Sequence, residues 1–251
     1  MAARPRRTNR PEPDPTTLTM EVTGVRAGEV TEEGFSPVNL LTNRGEIETR
    51  YYAAAGATGG AIFVGGAGGG FDTPVRGWLY PRLCRDLQAD GVACLRVRYR
   101  AANDLEECTL DVLAGIAYLE SEGVQRVALT GHSFGGAVVI QAAAHSEAVV
   151  TCVPMSTQTY GADPAATLGP RCSMLLAHGK ADEILPHRCS EAVYAAAREP
   201  KTLLLKDGAR HGLDEWSEEL PGILREWIRT ELAADRQGDR GAATRMRQRP
   251  A

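Results

Sequence analysis

The sequence predicts an α/β fold: a mostly parallel, twisted sheet of about eight strands, the first ones antiparallel, with helices on both faces and no large lid. Three observations predict it. From residue 61 onward, short apolar runs alternate with helical stretches, the pattern of parallel strands joined by helical crossovers. Before that point two stretches alternate polar and apolar residues, which suits antiparallel strands with one solvated face. The length of 251 residues, with 43% hydrophobic and 24% charged, suits one large core.

Taken in order, 18–30 and 47–54 form the antiparallel pair. The strands that follow are 61–64, 92–97, 127–130, 149–155, 174–177 and 202–205, and the helical stretches between and after them are 77–89, 104–121, 137–145, 188–198 and 214–232. In the second helix, Leu105, Val112, Ile116 and Leu119 make an apolar stripe at helical spacing, and Asn103-Asp104 supplies N-cap chemistry. The link between 155 and 174 is rich in Gly, Pro and Thr. It has room for a turn or two of helix and none for a lid, so the site is expected to be open or closed only by loops. Neither a repeat nor a second domain is evident, which places one domain at 18–234.

The ends, 1–17 and 235–251, lack apolar periodicity and read as disordered, basic tails. Arg4, Arg6, Arg7 and Arg10 outnumber Glu12 and Asp14; Arg236, Arg240, Arg245, Arg247 and Arg249 outnumber Asp235 and Asp239. With a net charge of −4, the body between is therefore acidic, which argues against nucleic acid as a partner of the domain. No apolar run follows Arg6-Arg7, and nothing reaches the length of a membrane span, so no membrane association is expected. The six cysteines, at 84, 94, 108, 152, 172 and 189, contain no Cys-x-x-Cys pair and read as reduced core residues of a cytoplasmic protein.

The chemistry concentrates at Gly131-His132-Ser133-Phe134-Gly135. The run 126–130 before it reads as a buried strand and the segment after Gly136 as a helix. In that setting Ser133 stands on a sharp strand-to-helix turn as a candidate nucleophile, and Gly131 and Gly135 are glycines because strand and helix pass too close for side chains. A serine hydroxyl needs a base, and the base needs an orienting group. Of five histidines, His132 should point away from Ser133, His145 reads as a helix C-terminal cap, and His178 and His187 lie at element ends near the site's edge. His211, in Gly208-Ala209-Arg210-His211-Gly212, follows the last strand and can reach over the nucleophile. Asp182, in the stretch from His178 to Pro186, is the expected orienting acid, with Glu183 as its rival.

An oxyanion needs preorganised N–H donors. One is expected from Phe134, at the start of the helix after Ser133, and the other from the loop Gly65-Gly66-Ala67-Gly68-Gly69-Gly70 after the strand 61–64. A phosphate-binding loop fits worse, because no Gly-Lys-Ser/Thr follows. Trp78 and Tyr160, in the segments 71–80 and 156–168, are candidate pocket walls beside Gly66 and Gly68.

Together the Gly-His-Ser-Phe-Gly-Gly stretch at 131–136, the His-Gly-x-x-Asp-x-x-x-Pro stretch at 178–186 and Arg210-His211-Gly212 resemble the α/β-hydrolase superfamily over residues 46–232. Within it the chain is most similar to compact, capless dienelactone hydrolase-like and carboxylesterase-like members. The chain order Ser, Asp, His is the one that family uses. The resemblance implies Ser133 as nucleophile, His211 as general base and acid, Asp182 as orienting acid, and the Phe134 and Ala67 amides as oxyanion donors. It implies a small-molecule acyl substrate and neither metal nor cofactor. Two departures stand out. Gly65-Gly66-Ala67-Gly68 replaces the His-Gly-x-Gly of many members, leaving Gly66 and Gly68 as alternative donors, and a serine stands where dienelactone hydrolases proper have cysteine. Ester cleavage is the expected reaction. A thioesterase, acyl-peptidase or acyltransferase would use the same triad, and a non-catalytic binding protein would keep only the fold.

Overall fold

The computed structural model describes residues 19–234. The expectations for the two basic ends lie outside the described residues. The chain begins with β1 (Val22–Ala27), β2 (Ser36–Thr42) and β3 (Gly45–Tyr52). There follow β4 (Gly59–Val64), α1 (Leu79–Ala89), β5 (Ala93–Val97), α2 (Leu105–Ser121), β6 (Arg126–His132), α3 (Phe134–Ala144), β7 (Val149–Met155), α4 (Ala165–Leu168), β8 (Ser173–Gly179), α5 (Arg188–Ala196), β9 (Lys201–Lys206) and α6 (Leu220–Ala233). The strands form one sheet in the order β1-β2-β3-β5-β4-β6-β7-β8-β9, antiparallel through the β3–β5 pair and parallel beyond.

The antiparallel part corrects the sequence reading. The stretches 18–30 and 47–54 are not partners: β2 lies between β1 and β3 and pairs with both. It was not expected because Pro37 opens it and Asn39 interrupts its apolar residues. Register with β3, where Val38 faces Thr49 and Leu40 faces Ile47, makes it a strand. A second correction concerns 214–232. Asp214–Trp216 is a separate 3-10 turn, and α6 starts at Leu220 with Pro221 in its first turn, where a missing N–H does no harm.

Side-chain alternation along the central strands builds two cores, one on each face of the sheet. Along β4, Ala61 and Phe63 face α1 and α6, while Ile62 and Val64 face the layer of α2 and α3. Helix α2 starts as its sequence demands: the Asp104 carboxylate accepts the N–H groups of Glu106 and Glu107, both at 3.1 Å. The link between β7 and β8 holds the single turn α4 and no lid. All six cysteines are free, five of them buried. Among the described residues no helix is long and apolar enough to cross a membrane.

The topology positions the site. β4 is flanked by β5 on one side and β6 on the other, both parallel to it, so the winding reverses between β4 and β6. At such a switch point the loops beyond the strand ends diverge to opposite faces and leave a crevice. The glycine-rich loop leaves β4 there, and Ser133 leaves β6.

Candidate active site

Ser133 has φ 57° and ψ −120°, a backbone conformation that a non-glycine residue keeps only when its surroundings enforce it. The enforcement is visible. A methyl group on Gly131 would lie 2.1 Å from the Gly135 carbonyl oxygen, one on Gly135 would lie 2.3 Å from that of Gly65, and one on Gly136 would lie 2.4 Å from the Thr157 hydroxyl. Strand, turn and helix are thus packed backbone on backbone, and the Ser133 amide is held by the Met155 carbonyl at 2.8 Å. Helix α3 begins at Phe134, three residues earlier than the apolar pattern suggested. The Phe134 N–H is therefore in the first helical turn, where amides lack intrahelical acceptors and the helix dipole favours negative charge.

The glycine-rich loop lies against this turn: a methyl on Gly66 would sit 3.5 Å from the Ser133 Cβ. The loop is pinned despite its glycines. The Tyr80 hydroxyl donates to the Val64 carbonyl at 3.1 Å and the Tyr99 hydroxyl to the Gly65 carbonyl at 3.3 Å. Burial pushes both phenols well above their ordinary range, so they remain donors. At the far end Arg96 donates to the Phe71 carbonyl, and its guanidinium and that of Arg50 cover the Phe71 ring. Tyr99 also packs edge-on to Phe134 with ring centroids 6.1 Å apart.

His211 is brought to the same edge. The Gly179 Cα and the Ala209 carbonyl are so close that a methyl on Gly179 would lie 2.2 Å from that oxygen, which locks the end of β8 to the loop after β9. The His211 carbonyl accepts from His132 Nε2 at 2.8 Å and from the Ser156 hydroxyl at 3.2 Å. His132 thus points away from a role as base, and burial lowers its pKa to about 4, so it holds this bond as a neutral N–H donor. The two imidazoles are 4.8 Å apart, centroid to centroid. The His211 amide faces Glu183 Oε2 at 3.3 Å, so the rival acid binds backbone rather than the ring.

The His211 ring is held by Asp182: Nδ1 donates to Oδ2 at 2.8 Å. This fixes the tautomer and leaves Nε2 with a free lone pair. The carboxylate is completely buried. Its Oδ1 accepts the N–H groups of Ile184 at 2.8 Å and Leu185 at 2.7 Å. Burial alone would raise the Asp182 pKa, but the Leu185 amide, His211 and the Ile184 amide outweigh it and the net shift is downward. Sequence reasoning missed a further partner: His178 Nε2 lies 3.0 Å from the same Oδ2, and His178 Nδ1 lies 2.7 Å from the Ser190 hydroxyl. The signal for His178 was present in the His-Gly-x-x-Asp spacing, but nothing local marked Ser190.

The other candidates are less central. Ala67 and Gly68 are exposed on the loop, with Gly66 innermost. Trp78 caps α1 and packs on the core, with Arg82 over its ring at 5.4 Å. Tyr160 is 77% exposed on the loop after β7, and that loop is tied to α3 by Gln141 Nε2 on the Gly161 carbonyl at 2.7 Å. Among the described residues no group of three or more His, Cys, Asp or Glu is arranged to hold a metal ion.

Comparison with known proteins follows this geometry. A profile of the alpha/beta hydrolase family matches residues 61–250. The uncharacterised protein YfhR is 31% identical over 125 residues in Escherichia coli strain K12, covering 41% of this chain and 43% of YfhR. In Escherichia coli O157:H7 it is 29% identical over 116 residues, covering 46% and 39%. The matched part is thus about two fifths of those relatives' length. Among solved structures, the esterase domain of a Rhodothermus marinus protein superposes with a TM-score of 0.63 at 18% identity, covering 86% of this chain and all of that one. A dienelactone hydrolase from Anabaena variabilis gives 0.65 at 17%, covering 83% and 97%. A Pyrococcus furiosus esterase gives 0.66 at 16%, covering 79% and 91%. At these identities the likeness is one of fold.

Proposed function

Because the chain belongs to the alpha/beta hydrolase family, we propose that it is a serine hydrolase that cleaves a carboxylic ester of a small-molecule acyl substrate through Ser133, His211 and Asp182. One observation carries the reading: a serine in an enforced positive-φ turn at the switch point of the sheet, at the same sheet edge as a histidine whose Nδ1 is bound to a buried, ionised carboxylate.

The steps follow from the donors and acceptors available. His211 Nε2 takes the Ser133 proton as the serine oxygen attacks the acyl carbonyl. Asp182 stabilises the imidazolium that forms without taking the proton itself. Negative charge develops on the carbonyl oxygen, and the Phe134 amide and a loop amide, that of Ala67 with Gly66 or Gly68 as alternatives, are the donors that receive it in this reading. Removing one such donor typically costs about 2.7–4 kcal/mol in the barrier. The pinned carbonyls of Val64 and Gly65 support this role, because a preorganised loop does not reorganise as the charge appears. His211 then protonates the leaving group, and water cleaves the acyl-enzyme by the same path in reverse.

Purified protein assayed on p-nitrophenyl esters of increasing acyl length, with Ser133→Ala as control, tests the proposal. We expect serine-dependent turnover that falls with acyl length and a loss of roughly a million-fold in kcat in the variant. Unchanged turnover in Ser133→Ala would remove the assignment. Thioester and amide substrates in the same panel decide the leaving group, and labelling of Ser133 by a fluorophosphonate probe distinguishes a selective site from an inert one.

A further inference from the structure

The Asp182 oxygen that binds His211 is shared with a second histidine. His178, Ser190 and the Asp182 side chain are all fully buried. His178 Nε2 faces two acceptors, Asp182 Oδ2 at 3.0 Å and the Leu185 carbonyl at 3.1 Å, so it carries a proton. Among the described residues Nδ1 faces the Ser190 hydroxyl alone, at 2.7 Å. A hydroxyl can donate as well as accept, and with Nε2 protonated the neutral ring takes the Ser190 proton in a hydrogen bond at Nδ1. Burial lowers the His178 pKa from its ordinary value, which keeps the ring neutral.

Resting on the Ser-Asp-His reading above, we propose that His178 is a positioning residue for the Asp182–His211 pair, with Ser190 fixing its tautomer so that it always donates to Asp182. The arrangement does two things. It fills the last bonding position of a carboxylate whose other oxygen is held by the Ile184 and Leu185 amides, so the carboxylate cannot rotate away from His211. It also draws charge from Oδ2, which moderates the attraction of Asp182 for the imidazolium formed during the reaction. Among the described residues, the other charged or titratable groups facing the pair are His132 and Glu183, with Arg210 adjacent in the chain; all are retained in the variants below.

The test separates the two nitrogens of His178. Gln places its amide N–H near the Nε2 position and restores the bond to Asp182. Asn reaches only the Nδ1 position, keeping Ser190 and losing Asp182. We expect His178→Asn to lower kcat about tenfold with KM little changed and to move the acid limb of the pH–rate profile upward. His178→Gln restores most of kcat and the wild-type profile. Ser190→Ala keeps the imidazole and serves as the second variant if His178→Asn fails to fold; its kcat should fall by a smaller factor. Equal kcat and pH profiles for the Asn and Gln variants, whatever their melting temperatures, would overturn the proposal. A direct readout is the ¹⁵N NMR tautomer of His178 in the wild-type protein: Nε2–H between pH 6 and 8 supports the proposal, and Nδ1–H or imidazolium overturns it. Fluorophosphonate labelling of wild-type protein separates the two readings. With Ser133 labelled and the variants indistinguishable, only the role of His178 falls; with Ser133 unlabelled, the hydrolase reading falls and the positioning role with it.

Discussion

At Ser133 the backbone conformation and the candidate chemistry point the same way. Its strained turn was legible in the sequence because glycines at 131 and 135 flank it, and glycine there is explained by the close approach of backbones. The pairing of Asp182 with His211 was legible only as a pattern of strand-end positions, since 29 residues separate them. His178 was undervalued for the opposite reason: it is near Asp182 in sequence, but its burial, which gives the contact its weight, depends on α5 closing over it. A neighbouring residue shows the cost of an unmatched group. The Thr130 hydroxyl in β6 is buried with no hydrogen-bond partner among the described residues. Thr130→Val fills the same space without the desolvated hydroxyl, so we expect it to stabilise the protein by roughly 1 kcal/mol. Urea unfolding at pH 7 measures this, and a loss of stability would show that the hydroxyl has a partner.

Between elements, closeness of backbones and one ionic network decide most. Gly135→Ala drives a methyl into the Gly65 carbonyl and separates α3 from the glycine-rich loop. We expect destabilisation at or above the upper end of the roughly 1–3 kcal/mol typical of overpacking, with the proposed hydrolase activity lost in the fraction that folds. Gly222, in α6, has open space where its methyl would go, so Gly222→Ala should stabilise by about 1 kcal/mol through helix propensity alone. Thermal melts of the two variants side by side read both effects. Asp111 of α2 is buried against Arg100, accepting its backbone N–H at 2.8 Å and its Nε at 2.5 Å, and Arg100 also reaches Glu107, which binds Arg44 of the β2–β3 turn. Asp111→Ala leaves the Arg100 guanidinium buried and short of its partner, and we expect a loss of about 3–5 kcal/mol by denaturant titration. The longer helices of the parallel region were legible because each is amphipathic or apolar over at least two turns. β2 was not, because a strand with Pro37 and Asn39 is defined by its partners on both sides rather than by its own pattern.

At the scale of the molecule, burying several titratable groups behind one sheet edge makes stability depend on pH. His132 is held neutral, with its folded pKa near 4 against an unfolded value of about 6.5. As pH falls through that window the unfolded chain binds a proton that the folded protein refuses, so stability is complete above about 6.5 and declines by roughly 3 kcal/mol toward pH 4. His178 shifts in the same direction and adds to the decline. Asp182, lowered in the fold, contributes stability that is present above its unfolded value of about 3.9 and is lost only as pH falls further. Asp111, raised to about 6 by burial, takes up a proton in the fold over the same window and adds stability as pH falls. The histidine part is therefore read by difference: relative to the wild type, we expect His132→Gln, which keeps an N–H for the His211 carbonyl and does not titrate, to gain denaturant stability as pH falls from about 6.5 to about 4.5. An identical slope in that variant would show that His132 is not the group responsible.

The sequence by itself determined the parallel α/β order, the turn at Ser133 and the strand ends where chemistry belongs, because each depends on local hydrophobic period, glycine sterics and element sequence. Only the tertiary structure decided that β2 completes the antiparallel edge, that two tyrosines and an arginine stiffen the glycine-rich loop, and that Asp182 answers to two histidines at once. Those contacts join residues distant in the chain, and their energies come from burial, which exists only after the sheet has wound both cores around itself.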